Sequence, residues 1–282
     1  MLESHLDKSL EQRIRARRTM ARVLPPLVLV LTLLVIWQLG VRVGNVDKWL
    51  LPAPSDIASA GWDARSLLWP HVLQTATETL LGFALALAVG FGLGMLIDAS
   101  PLINNALYPL LVASQTVPTV AIAPLLVIWL GYGLLPKVLV VALVCFFPIV
   151  VSTADGLRAT DGELVNLLST MGASRQAILF KVRLPDALPS LFSGVRIAVT
   201  YSVVGAILGE WVGASAGLGI FMLRATNSFR TDWVFVSILI TALLSLALFA
   251  SVSLLERRLL GWYYRAAHQE KWEEVDTKGK TS

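Results

Sequence analysis

Few side chains in this sequence have the type and spacing to do chemistry. The single cysteine, Cys145, lies inside an apolar run, so no internal disulfide and no cysteine-based zinc site can form. His5, His71 and His268 are scattered, never at ligand spacing, and read as tail or interfacial residues. No nucleophile–base pair or metal-binding cluster is visible. Gly279-Lys280-Thr281 imitates the end of a phosphate-binding loop, but the glycine required five residues earlier is Glu274 and no strand precedes it. No ATP binding is therefore expected on this chain. Three ionisable residues remain in apolar surroundings: Glu78, Arg196 and Glu210. At membrane depth such groups are costly and suggest function by default. Glu78, at the start of its run, also reads as interfacial. Arg196 and Glu210 share one run, fourteen residues apart. That is roughly 21 Å along a helix, with both within about 40° of one face. They cannot pair with each other. Either they line a solute path or each is neutralised by another span.

The elements that must position these residues are apolar. The chain has 282 residues, 56% of them hydrophobic and 15% charged, with a mean hydropathy of +0.70. Disorder, collagen-like repeats and a disulfide scaffold are excluded. A membrane span takes roughly 20 apolar residues, and charge-free runs predict six: about 23–41, 79–97, 106–130, 138–154, 190–213 and 233–255. Pro118 and Pro124 fall inside the third, as an ordinary kink or as cavity lining. Gly131-Tyr132-Gly133 turns into the fourth. Gly205, Gly209, Gly213 and Gly217 recur every four residues, a smooth stripe for helix packing, and Gly90 and Gly94 make a smaller one.

Lys and Arg set the orientation. Sixteen lie in residues 1–22, in loop 155–190 and after Glu256, and six on the opposite side. Both termini and loop 155–190 are then cytoplasmic. The net charge of +4 fits basic segments beside anionic lipid, with no nucleic-acid role. The domains expected are a basic tail (1–22), a six-span domain (23–260) and a cytoplasmic C-terminal tail (261–282).

Loop 155–190 is too long for a plain connector. Leu164, Leu167, Leu168 and Met171 recur at helical spacing, predicting a short amphipathic helix. Gly172 is placed to end it in a left-handed cap, with Ala173 in the turn. Ser174 can cap a second helix, which Pro185 stops near Leu184. The pair is either an interfacial helix lying on lipid or a docking element for a cytoplasmic partner.

Gly172, nine residues, then Val182-Arg183-Leu184-Pro185 resembles the cytoplasmic signature of ABC importer permeases: Glu-Ala-Ala, three residues, Gly, nine residues, Ile, one residue, Leu-Pro. The spacing from Gly to Leu-Pro matches, with Val182 in place of Ile; the Glu-Ala-Ala positions hold Asn166, Leu167 and Leu168. Val117-Pro118-Thr119-Val120-Ala121-Ile122-Ala123-Pro124-Leu125 and Phe146-Phe147-Pro148-Ile149 are similar to permeases for nitrate, sulfonates and taurine. Gly209-Glu210-Trp211-Val212-Gly213-Ala214-Ser215-Ala216-Gly217-Leu218-Gly219 resembles the branch importing pyrimidine precursors of thiamine.

The resemblance implies an all-α membrane protein of the bacterial inner membrane: six transmembrane helices with a two-helix cytoplasmic coupling loop. It implies a permease subunit, not an enzyme. Two ATPase subunits would bind ATP and Mg, an extracytoplasmic binding protein would deliver solute, and a second permease subunit, as a homodimer, would complete the path. This chain itself would hold no cofactor. The rival readings are an intramembrane enzyme, for which no motif is present, and a membrane scaffold or sensor.

Overall fold

A computed structural model describes residues 24–263. The expected 1–22 tail and the C-terminal tail after residue 263, with His5, His268 and Gly279-Lys280-Thr281, lie outside the described residues. All regular structure among the described residues is helical. In chain order the elements are α1 (Leu24–Val43), α2 (Pro54–Asp63), α3 (Arg65–Ala99), α4 (Pro101–Ser114), α5 (Thr119–Leu130), α6 (Leu134–Arg158), α7 (Gly162–Thr170), α8 (Arg175–Ile178), a π turn (Leu179–Arg183), α9 (Leu184–Trp211), α10 (Leu218–Asn227) and α11 (Thr231–Leu259). Five stretches are long and apolar enough to cross a membrane, and six if the bent α4–α5 pair counts as one.

The described residues pack as two compact units. The first comprises residues 24–65 and 225–236. In it the Asp56 carboxylate near the start of α2 takes Arg42, at the end of α1, and Lys48, each at 3.1 Å. Trp37 of α1 stacks tilted on Phe235 at 5.5 Å.

The second unit comprises residues 66–224 and 237–263. Its core joins Ala86 of α3, Val141, Cys145 and Ile149 of α6, and Val195, Ala198 and Ala206 of α9. Helices in lipid gain little from burying apolar surface, so they associate through close packing at small residues. A Cβ on Gly90 would stand 3.0 Å from Ile149 of α6, and one on Gly209 would stand 3.2 Å from the Lys137 backbone. At both places a side chain would crowd α6, and at Gly82 and Gly94 a Cβ would run into Val141 and stand only 2.5 Å from Thr153, so something would have to shift.

Two local expectations change. The third span is not a gently kinked helix: α4 and α5 meet at 98°. A proline disfavours the helical region for the residue before it, and Pro118, itself extended at ψ 116°, becomes the N-cap of α5. Near the break the Leu111 carbonyl accepts the Ser114 hydroxyl and the Ala113 carbonyl the Thr116 hydroxyl, each at 2.7 Å, and the Thr116 amide also bonds Ala113 O. The second short helix of the coupling loop is not stopped at Pro185 either. α8 continues through the π turn into α9, where the Leu184 amide bonds Leu179 O. Pro185 then lies inside one continuous helix, just after the π turn; it supplies no N–H to the preceding turn, and the wider π turn stands where its ring would otherwise crowd that turn.

Candidate functional site

Loop 155–190 is built from its caps. The Asp161 carboxylate accepts the Glu163 amide at 2.8 Å to start α7. At the other end the Gly172 amide bonds Ser169 O and the Ala173 amide bonds Leu168 O, each at 3.0 Å. With Gly172 at φ +85°, this is a Schellman cap. The Ser174 hydroxyl accepts the Ala177 amide at 3.2 Å to start α8. α7 buries none of its residues. Leu164, Leu167 and Met171 are exposed, Met171 to 75%, and Leu168 is half-buried. A Cβ at Gly172 would meet nothing within 4 Å, so its outer side is open. Val182, Leu184 and Pro185 are half-buried in the π turn and the start of α9.

A buried polar cluster occupies the opposite ends of α3, α6 and α9. Glu78 of α3 accepts Lys137 Nζ of α6 at 2.8 Å and Gln74 Nε2 at 2.7 Å. Glu210 of α9 is fully buried. Its carboxylate stands against Glu78 and accepts the Thr75 hydroxyl at 2.5 Å and the Gly219 amide. Thr75 Oγ1 in turn accepts the Leu218 amide at 2.8 Å. His71 Nδ1 lies 2.9 Å from both the amide and the carbonyl of Gly217, and its tautomer decides which it bonds. Together these bonds pin segment 212–219 to α3.

The cluster explains why two of the four spaced glycines lie outside the helix. α9 ends at Trp211, and Gly213 (φ +88°) and Gly217 (φ +130°) form the turns that bring Gly219 back to Glu210. Gly205 and Gly209 lie within α9 and face α6. The sequence leaves His71 as an interfacial residue, Glu78 as either a functional or an interfacial one and Lys137 as a boundary between two spans, and it does not single out Thr75. A lysine between two long charge-free runs, with a glutamate in another apolar run, was the available signal.

At the coupling-loop end, Arg183 Nη2 reaches Asp98 Oδ1 of α3 and Leu157 O of α6, each at 2.8 Å. Arg158 bonds Asn104 of α4 and lies over the Tyr108 ring at 5.6 Å. Arg196 pairs with Glu256 of α11 at 3.2 Å.

Between the two ends, α4, α5, α6 and α9 leave a half-open cleft of about 800 Å³. Phe146, Phe147 and Tyr201 supply aromatic faces; Ser114, Gln115, Thr119 and Ser152 supply uncharged polar groups. None of its lining residues is charged. Of the residues expected from sequence to line a path, Pro118 is flanked by the lining residues Val117 and Thr119, while Pro118, Pro124, Arg196 and Glu210 do not line this cleft.

Residues 86–261 match the family described as the binding-protein-dependent transport system inner membrane component. The chain is 40% identical over 242 residues to the formylaminopyrimidine transport permease protein ThiX of Halalkalibacterium halodurans, covering 86% of this chain and 96% of that protein. It is 41% identical over 237 residues to the riboflavin transport system permease protein RibX of Chloroflexus aurantiacus, covering 83% and 88%. Among solved structures, an inward-facing form of the MetNI methionine ABC transporter matches with a TM-score of 0.54 and 20% identity, over 67% of this chain and 97% of that one; it supports the fold. An all-α fold of apolar spans, the Gly172 bend and these matches lead to one conclusion: the chain is an ABC importer permease, and it belongs to the binding-protein-dependent transport system inner membrane component family.

Proposed function

We propose that this chain forms half of the translocation path for a small, uncharged polar heterocycle. Its partners are a second copy of itself, two ATPase subunits docked on the coupling loop, and an extracytoplasmic binding protein. In this reading both termini and the coupling loop face the cytoplasm, which the Lys and Arg distribution supports.

The observation that carries this reading is the capped bend at Gly172. A nine-residue helix with no buried residue is too short to be stable alone in water. Its exposed Leu164, Leu167 and Met171 are positioned by rigid caps on both sides. Such an element is made to enter a cleft on another protein, and Gly172 permits the sharp turn at its tip. ATP binding and Mg belong to the partner that supplies the cleft.

The solute class follows from the cleft. An organic sulfonate or nitrate-like anion would meet no cation among its lining residues. A flat ring can lie against Phe146, Phe147 or Tyr201, while Ser114, Gln115 and Ser152 take its polar edge. The relatives ThiX and RibX are named for a formylaminopyrimidine and for riboflavin, both nitrogen heterocycles.

The first experiment co-expresses the tagged chain with ABC ATPases of its source genome and measures ATP hydrolysis after purification. A co-purifying, active ATPase that is lost in Gly172→Asp is the expected result. A chain that purifies alone turns the reading to a membrane scaffold or sensor. Uptake into proteoliposomes, with an aminopyrimidine and taurine in competition, then tests the solute class. Preference for taurine overturns the heterocycle.

A further inference from the structure

Arg183 occupies a junction that coupling through the loop does not by itself require. It closes the π turn that joins α8 to α9, so its backbone belongs to the coupling loop and its side chain leaves it. One terminal nitrogen, Nη2, bonds both Asp98 Oδ1 at the end of α3 and Leu157 O near the end of α6, at 2.8 Å each. Asp98 is almost fully buried, with 6% of its side chain exposed, and Arg183 is about a quarter exposed. An ion pair in such surroundings is less screened than one in water, and its directional geometry resists sliding. Arg183 therefore ties three separate helices at the base of the coupling loop. Elsewhere in the loop the bonds of α7 and α8 are local caps.

We propose that Arg183 and Asp98 are positioning residues that make the coupling loop, α3 and α6 move as one body. Motion imposed on α7 by a partner then reaches Phe146, Phe147 and Ser152 of the cleft through α6, rather than being absorbed at the π turn. A π turn carries one residue more per bonded ring than an α turn, which makes it the place where a push along the chain would otherwise be lost. The pair bypasses that place. The inference rests on coupling through the loop, and the experiment separates the two.

The test uses the assembled complex in proteoliposomes and reads molecules of a radiolabelled aminopyrimidine transported per ATP hydrolysed. Arg183→Gln and Asp98→Ala are expected to keep the ATPase bound and hydrolysing while that ratio falls about tenfold. Arg183→Lys, which keeps the charge, is expected to stay within about threefold of the parent chain. An unchanged ratio in both neutral variants overturns the proposal. So does loss of the ATPase itself in these variants, because the pair would then only support the docking surface. If the parent chain binds no ATPase, the coupling reading fails instead.

A second measurement needs no variant of the pair. Spin labels at Ser169→Cys, exposed on the face of α7 away from Leu164 and Leu167, and at Leu96→Cys, in a Cys145→Ala background and in complexes diluted with unlabelled chains, report the distance from α7 to α3. An identical distance in nucleotide-free and ATP-trapped complexes is expected. A distance that changes with nucleotide overturns the proposal even if the neutral variants fail to assemble.

Discussion

Lys137 is the cation paired with buried Glu78 at 2.8 Å, and its loss has a calculable consequence. Lys137→Met leaves Glu78 buried without its counter-charge. Breaking a buried pair from one side costs about 3–5 kcal/mol, whereas replacing both partners with neutral groups is often close to neutral. Thermal denaturation in detergent is expected to show a large drop for Lys137→Met, and recovery of most of it in Glu78→Gln/Lys137→Met. A double variant no more stable than the single one would mean that Lys137 does not neutralise Glu78. Gly217→Ala belongs to the same site. At φ +130° an alanine is strained, and its Cβ would run into the Glu210 carboxylate. We expect it to destabilise the protein and to loosen segment 212–219, read as faster proteolysis there. Glu210 itself separates two roles: a clamp loses melting temperature in Glu210→Ala, whereas a path residue changes solute uptake without it. The bonds to Thr75 and Gly219 predict the first.

The broken α4–α5 pair is the element whose behaviour most needs testing. Its cleft carries uncharged polar side chains that water can reach if the path opens there. Single cysteines at Gln115 and Tyr201, in a Cys145→Ala background, are expected to react with a charged thiol reagent, and at a rate that changes when ATP is trapped. A cysteine at Leu246, exposed on the apolar helix α11, should stay unreactive. Equal labelling at all three would remove the cleft from the path. A second element, the start of α2, responds to acid. Burial pushes the Asp56 carboxyl up, but hydrogen bonds from Lys48 and the Ala53 amide and the charge of Arg42 outweigh it and hold it below its ordinary value of 3.8. Its contribution is therefore complete above the unfolded value and is lost as pH falls through the lower folded one, a loss that Asp56→Asn should abolish. The coupling loop was legible because Gly172, Asp161 and Ser174 act on their immediate neighbours, and caps are local rules. The six apolar runs were legible because lipid demands them. The 98° break was not, since Pro118 alone fits a kink as well as a break. Nor were the pairs Glu78–Lys137 and Asp98–Arg183, which join residues 59 and 85 positions apart and depend on how α3 packs on α6 and α9.

The single chain presents two unlike surfaces to its surroundings, and the difference predicts how copies assemble. In the most apolar part of α11 no residue is buried, and its exposed Leu239, Leu243 and Leu246 suit contact with lipid tails. The cleft face is different: Ser114, Gln115, Thr119, Ser152 and Tyr201 line a half-open hollow. Polar groups facing hydrocarbon are costly unless protein or water covers them. Two copies related by a twofold axis can close one cleft against the other, leaving water inside and α11 outside. The expected particle in nanodiscs therefore contains two permease chains, read from its mass. A flexible bifunctional reagent should join cysteines at Tyr201 between copies, and cysteines at Leu246 should not be joined. Cross-linking through Leu246 with none through Tyr201 would place the second copy on α11, and the polar lining of the cleft would then have to be covered by something other than a second copy of this chain.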